Sequence, residues 1–152
     1  MNDVDLGYIS GVFDGEGCVA IVKMRRPPYK EISYNLMISI TNSDPDLIEW
    51  LHERLGGHVG VMGRHKGRGK LVKRWYESGR DAGAVLEMLL PYLKVKRKQA
   101  LLALEYLKLG RGWERSARAD FHEHMRFLNK GSEEQNAERP QVSHNNLRFD
   151  FS

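Results

Sequence analysis

The sequence predicts an α+β fold, a four-stranded antiparallel sheet covered on one face by helices. Three observations lead there. Apolar spacing changes twice from a helical period to strict alternation, giving the order helix, two strands, helix, two strands, then helices. Turn and cap residues fall at each change of period. No internal repeat doubles the first helix and sheet, so the 152 residues read as one domain over 1–152 with a core of ordinary size.

Val4 to Phe13 reads as the first helix, with Leu6, Tyr8, Ile9, Val12 and Phe13 as its apolar set. Gly7, Ser10 and Gly11 are unusual inside it. Each glycine costs about 1 kcal/mol relative to alanine in a helix interior, and close approach of another backbone is the simplest compensation. Cys18 to Lys23 reads as a strand, followed by a wide turn through Arg25-Arg26-Pro27-Pro28-Tyr29. Ile32 to Thr41 is a second strand. Ile32, Tyr34, Leu36, Ile38 and Ile40 alternate there with Ser33, Asn35, Met37, Ser39 and Thr41, an open face able to hydrogen-bond a partner. Asp44 and Pro45 start the next helix as cap and first residue, and Gly56-Gly57 end it. His58 to Met62 and Leu71 to Tyr76 form a hairpin around a glycine-rich basic tip. Ala82 to Leu90, Val95 to Leu109 and Trp113 to Leu128 follow as helices, with Trp50 and Trp113 assigned to the core. The segment from about 131 is polar and expected to be loosely ordered, with Leu147, Phe149 and Phe151 as anchors for the tail.

Charge placement points to a polyanion. The total is 24 Lys+Arg against 20 Asp+Glu, a net charge of +4. The excess is concentrated between Gly57 and Tyr76, where Arg64, Lys66, Arg68, Lys70, Lys73 and Arg74 occur without an acid, and again at Lys94, Lys96, Arg97 and Lys98. Such local fields suit nucleic acid; they would also suit an anionic membrane surface, which no lipid-anchoring signal supports. Cys18 is the single cysteine, which excludes a disulfide framework and a thiolate metal site. No apolar run reaches membrane length, and the expectation is a soluble intracellular protein with no membrane partner.

Asp14-Gly15-Glu16-Gly17 places two carboxylates where the first helix gives way to a strand. One reading is a helix cap in which Gly15 or Gly17 supplies positive φ. The other starts from the helix dipole, whose negative end disfavours acids; a divalent cation would offset them. Leu6-Gly7-Tyr8-Ile9-Ser10-Gly11-Val12-Phe13-Asp14-Gly15-Glu16-Gly17 resembles the LAGLIDADG motif, with its nine core positions on Ile9 to Gly17. Gly11, Asp14, Glu16 and Gly17 keep the pattern, whereas Ser10 replaces alanine and Glu16 the commoner aspartate. Leu93-Lys94-Val95-Lys96-Arg97-Lys98-Gln99-Ala100 is similar to a segment of the single-motif algal chloroplast enzymes, and the resemblance spans roughly residues 6–109.

The resemblance implies a homing endonuclease fold, αββαββα at its core, with a saddle-shaped sheet. It implies a homodimer joined through the first helices at Gly7, Ser10 and Gly11. The implied activity is cutting of a long pseudo-palindromic site in double-stranded DNA across the minor groove, leaving short 3′ overhangs. Glu16 and the carbonyl of Gly15 would hold Mg²⁺, with Mn²⁺ as a substitute and Ca²⁺ permitting binding without cleavage. Lys96 matches the active-site lysine, and Asn42 falls where relatives carry a solvent-positioning glutamine. Asp46 stands where they carry an arginine, a role Lys98 could take instead. Asp14 is expected to support the turn or interface. Base readers are expected on the first strand (Ala20, Val22, Met24, Arg26), the second (Ser33, Asn35, Met37, Ser39) and the hairpin (His65, Lys73, Trp75). Arg64, Lys66, Arg68 and Lys70 would grip phosphates. An intron maturase, with intron RNA as partner, or an inactive DNA-binding regulator would share the fold. Bacterial cytoplasm, chloroplast and mitochondrion fit the resemblance equally. His122 and His124 are expected on a helix surface rather than at a zinc ion.

Overall fold

Helix α1 spans Asp3–Glu16 and is capped by Asn2, whose side chain accepts the Asp5 N–H at 2.8 Å. Sequence spacing ends it at Phe13, but it continues through Asp14, Gly15 and Glu16, and strand β1 (Gly17–Arg25) follows without a loop. Gly17 is extended, with φ −72° and ψ 156°, and neither it nor Gly15 has positive φ. Gly17 is required for steric reasons, since a Cβ there would collide with the carbonyl and ring of Phe13. The chain is described by a computed structural model over residues 1–25, 27–28, 31–64, 69–110 and 115–130.

Strand β2 (Ile32–Asn42), helix α2 (Pro45–Leu55), strands β3 (His58–Arg64) and β4 (Leu71–Ser78), and helices α3 (Gly79–Leu89), α4 (Arg97–Leu107) and α5 (Arg115–Asn129) complete the order. Asp44 caps α2 as expected, accepting the N–H groups of Asp46 and Leu47. Gly56 and Gly57 stop it with φ of 70° and 77°, a conformation that L side chains rarely adopt. The strands form one antiparallel sheet in the order β1-β2-β4-β3. The expected fold class is therefore the observed one.

The five helices of the described residues pack against the sheet or one another around a core lined by Ile9, Phe13, Val19, Ile21, Leu36, Ile38, Ile40, Ile48, Leu51 and Trp75. Strand β1 is an edge strand, and α5 lies along it. His122 Nδ1 lies 2.5 Å from the carbonyl of Ile21, and Asn129 Nδ2 donates to the carbonyl of Val19 at 2.8 Å. His122 is thus half-buried edge cover rather than helix surface. Trp50 is only half-buried, edge-on to Tyr8 and beneath Arg54. Trp113 and the tail from 131, including Leu147, Phe149 and Phe151, lie outside the described residues.

Candidate active site and nucleic-acid interface

One face of α1 packs into the core through Ile9, Ser10 and Phe13. The opposite face is exposed and carries Val4, Gly7, Tyr8, Gly11, Gly15 and Glu16. Gly7, Gly11 and Gly15 recur every fourth residue, so they form one stripe about 12 Å long. A Cβ at any of them would meet nothing within 4 Å. The chain's own packing therefore does not require these three glycines. A shallow groove lined by Gly7, Gly11, Val12, Glu16, Asn42 and Leu47 runs along this face. Ser10 is corrected here. It is buried at 1% exposure, with its hydroxyl donating to the carbonyl of Leu89 at 3.4 Å, and it serves α1–α3 packing rather than an external contact. Gly15 takes its place in the exposed stripe.

The stripe ends at Glu16, an exposed carboxylate on the last turn of α1. Asn42, the last residue of β2, donates from Nδ2 to Glu16 Oε2 at 2.5 Å. Its Oδ1 accepts the Asp44 N–H at 2.7 Å, which fixes which end of the amide faces Glu16. Asn42 thus ties the carboxylate to the start of α2.

Asp14 connects the same helix end to the segment before α4. Its carboxylate accepts the N–H groups of Lys94 and Lys96 at 2.7 and 2.9 Å, while Lys96 Nζ donates to the Asp14 carbonyl at 3.1 Å. The C-terminal end of α1 and the N-terminal end of α4 are thereby clamped together, and half-buried Lys96 is held against Asp14, two residues before Glu16 in the chain. Lys94 and Lys98 are exposed beside it, and so is Asp46 on α2. Removing the clamp by Asp14→Ala is expected to cost about 1–2 kcal/mol, the range of a lost capping carboxylate. Equilibrium denaturation would detect this, and an unchanged midpoint would contradict it.

Among the described residues, no three His, Cys, Asp or Glu side chains cluster to hold a metal. Glu16 nevertheless suits a hard cation. It is an exposed oxygen donor, next to helix-terminal carbonyls, including that of Gly15, that have no intrahelical partner. Such a site would need oxygen ligands beyond those the described residues bring together.

Cross-strand register fixes the sheet's open face. Val19 and Ile21 are buried, so Cys18, Ala20, Val22 and Met24 lie opposite the helices, beside Ser39, Met37, Asn35 and Ser33 of β2. On the other half, Thr41 pairs with Arg74, Ser39 and His58 with Tyr76, and Gly60 with Arg74, so Arg74, Tyr76, His58 and Gly60 share that face. Trp75 and Lys73 point the other way, which corrects both as base readers. Trp75 is fully buried, and its indole donates to the Gly56 carbonyl at 2.8 Å. Lys73 pairs with Glu49 of α2 at 2.6 Å, and its hydrogen bond and charge hold the Glu49 carboxyl below its ordinary value. Ser39 is on the open face but only 4% exposed, with its hydroxyl accepting from Arg74 Nη2 at 3.1 Å, and Ser33 Oγ is closed off from solvent. Met24, Asn35 and Met37 remain partly exposed, and Lys70 is exposed at the start of β4. Arg26, His65, Lys66 and Arg68 lie outside the described residues, as does the side chain of Arg64.

A helix with a glycine-striped outer face, ending on a carboxylate beside a lysine and backed by a sheet with one open face, defines the class of fold. The fold is that of the LAGLIDADG homing endonucleases. The homing endonuclease I-CvuI, in complex with the I-CreI target in the presence of Mg, is similar with a TM-score of 0.69 and 21% identity over 85% of this chain and 84% of that one. The I-SmaMI LAGLIDADG homing endonuclease bound to cleaved DNA gives 0.59 and 17% over 82% of this chain and 42% of that one. The group I intron-encoded homing endonuclease I-CeuI complexed with DNA gives 0.57 and 15% over 71% and 56%. No protein-family model matches the sequence, and no curated protein matches it at significance. No helix among the described residues is long and apolar enough to cross a membrane.

Proposed function

We propose that the chain is one half of a homodimeric, metal-dependent homing endonuclease that cuts a long pseudo-palindromic site in double-stranded DNA. The observation that carries this reading is the outer face of α1. Its glycines leave open space where a second helix would fit, and the same face ends on Glu16. Two copies related by a two-fold axis would bring two Glu16 carboxylates together and supply each other's missing oxygen ligands, with scissile phosphates completing the set. Small residues at a helix–helix contact let backbones approach closely. The known relatives of this fold named above are described in complexes with DNA.

In this reading Glu16 from each copy, with the carbonyl of Gly15, holds the cation, and Asn42 fixes the carboxylate's orientation. A bound Mg²⁺ would neutralise charge at the phosphate and lower the pKa of water for attack. Lys96, held by Asp14, offers its ammonium to the phosphorane charge that develops as the 3′ oxygen departs. Each copy cuts one strand, leaving short 3′ overhangs. The open face of the sheet lies along the major groove and reads bases, while Lys70 and the basic tip of the hairpin contact phosphates.

The test is incubation of the purified protein with a library of long duplex sites in Mg²⁺, Mn²⁺ and Ca²⁺. The expected result is cleavage of a narrow subset with Mg²⁺ or Mn²⁺, and binding alone with Ca²⁺. Sequence-specific binding without cleavage under every metal condition would overturn the enzyme in favour of a DNA-binding regulator. Binding confined to structured intron RNA would favour a maturase.

A further inference from the structure

Arg74 is an anomaly on the open face. Among the described residues within the four strands it is the only Lys, Arg, Asp or Glu on that face, and no carboxylate of the described residues lies within ion-pair distance of it. Its guanidinium is fixed rather than waving in solvent. Nη2 donates to Ser39 Oγ at 3.1 Å and lies 3.4 Å from Met37 Sδ, and the group sits 5.8 Å from the centre of the Tyr76 ring. Nε is closed off from solvent and has no hydrogen-bond partner. Opposite on β3 stands Gly60, which adds no side chain of its own beside Arg74, the Tyr76 ring being the neighbour there.

An arginine is usually paired when half-buried, because a guanidinium has five donors and loses hydration on burial. Here the neighbours satisfy part of the fork and hold its plane. Ser39 and Met37 therefore act as supports for Arg74 rather than as independent contacts. β4 is an interior strand of the sheet, away from both edges. In a sheet seated along the major groove, side chains of the open face reach base edges. Among bases, the paired acceptors O6 and N7 of guanine match an arginine fork.

We propose that Arg74 reads a guanine in each half of the target duplex, at positions related by the dimer's two-fold axis. This assignment rests on the DNA-recognition reading of the sheet. The neutral side chains around Arg74 make it the one charged determinant on the described strands of that face, so the guanine should be the least tolerant position that this face reads.

Selection from a randomised duplex library in Ca²⁺, which needs binding but no cleavage, tests the assignment. Wild type, Arg74→Ala and Arg74→Lys would be compared, each first shown to unfold cooperatively. Wild-type sites are expected to contain one invariant guanine per half that becomes variable in both variants, with other positions unchanged. Affinity for the wild-type site should fall roughly 5- to 150-fold in Arg74→Ala relative to a site altered at that guanine. Arg74→Lys should keep non-specific affinity while losing the preference, because an ammonium lacks the fork. A uniform loss across all sequences, with the salt slope of Arg74→Ala reduced by about one, would make Arg74 a phosphate contact and overturn the proposal. Unchanged selection in both variants would also overturn it while leaving the reading of the sheet intact. A wild-type protein that enriches no sequence would overturn both.

Discussion

Glu16→Gln is expected to lower strand cleavage at least about 10³-fold while leaving Ca²⁺-supported duplex binding equal or tighter. Glutamine is close in size and can still accept the Asn42 amide hydrogen that now reaches Oε2, so the local geometry should survive. What disappears is the formal charge that holds a hard cation, and transition-state stabilisation by a bound metal amounts to several kcal/mol, each 1.36 kcal/mol being a factor of ten in rate. DNA affinity should move the other way, because a carboxylate repels the phosphates it approaches and the variant removes one such charge per copy. Single-turnover cleavage with Mg²⁺ and equilibrium binding with Ca²⁺ separate the two effects. Cleavage at the wild-type rate would remove Glu16 from the chemistry.

Gly11→Leu should separate assembly from folding. Within the chain a side chain at Gly11 projects into open space, and leucine is the better helix former by about 0.8 kcal/mol. The isolated fold should therefore be no less stable, and slightly more so. At a contact between two α1 helices the same side chain is placed where backbones must approach. Overpacking costs about 1–3 kcal/mol per site, which over two related copies weakens the dimer roughly 30- to 10⁴-fold. Sedimentation should show a shift from dimer to monomer, together with loss of specific cleavage. Unchanged self-association in the variant would count against the α1 interface, and a wild-type protein that stays monomeric both free and on its DNA would end the homodimer proposal.

The fold was legible because each change of hydrophobic period coincides with a local signal, as at Asp44-Pro45 before α2 and Gly56-Gly57 after it. The phase of β4 was not. Lys73-Arg74-Trp75-Tyr76 gives each face one cation and one aromatic residue, so alternation alone cannot choose between them. The choice is made by register with β2, which sets Trp75 beside Ile40 in the core and Arg74 beside Thr41 on the open face. The outer face of α1 was half legible for a related reason. Leu6, Ile9, Val12 and Phe13 mark the buried side only loosely, which left Ser10 free to be assigned outward. Gly15 was hidden because two acids and two glycines together read as a turn rather than as a last helical turn. The pairing of Asn42 with Glu16 and the clamp from Asp14 to Lys94 and Lys96 depend on residues 26 and about 80 positions apart. No local pattern encodes them.

The cover that α5 gives to β1 bears on how the protein behaves in company with other chains. An uncovered edge strand offers unpaired backbone groups to any extended segment that drifts past, and natural sheets guard against this. Here two edge carbonyls, of Val19 and Ile21, are already occupied by Asn129 and His122. At the far edge, β3 shifts register between Val61 and Gly63, and such a bulge twists a strand away from flat pairing. Lateral strand addition is thus obstructed at both ends of the sheet. Neither obstruction touches the outer face of α1 or the open sheet face, the two surfaces proposed for a second copy and for the duplex.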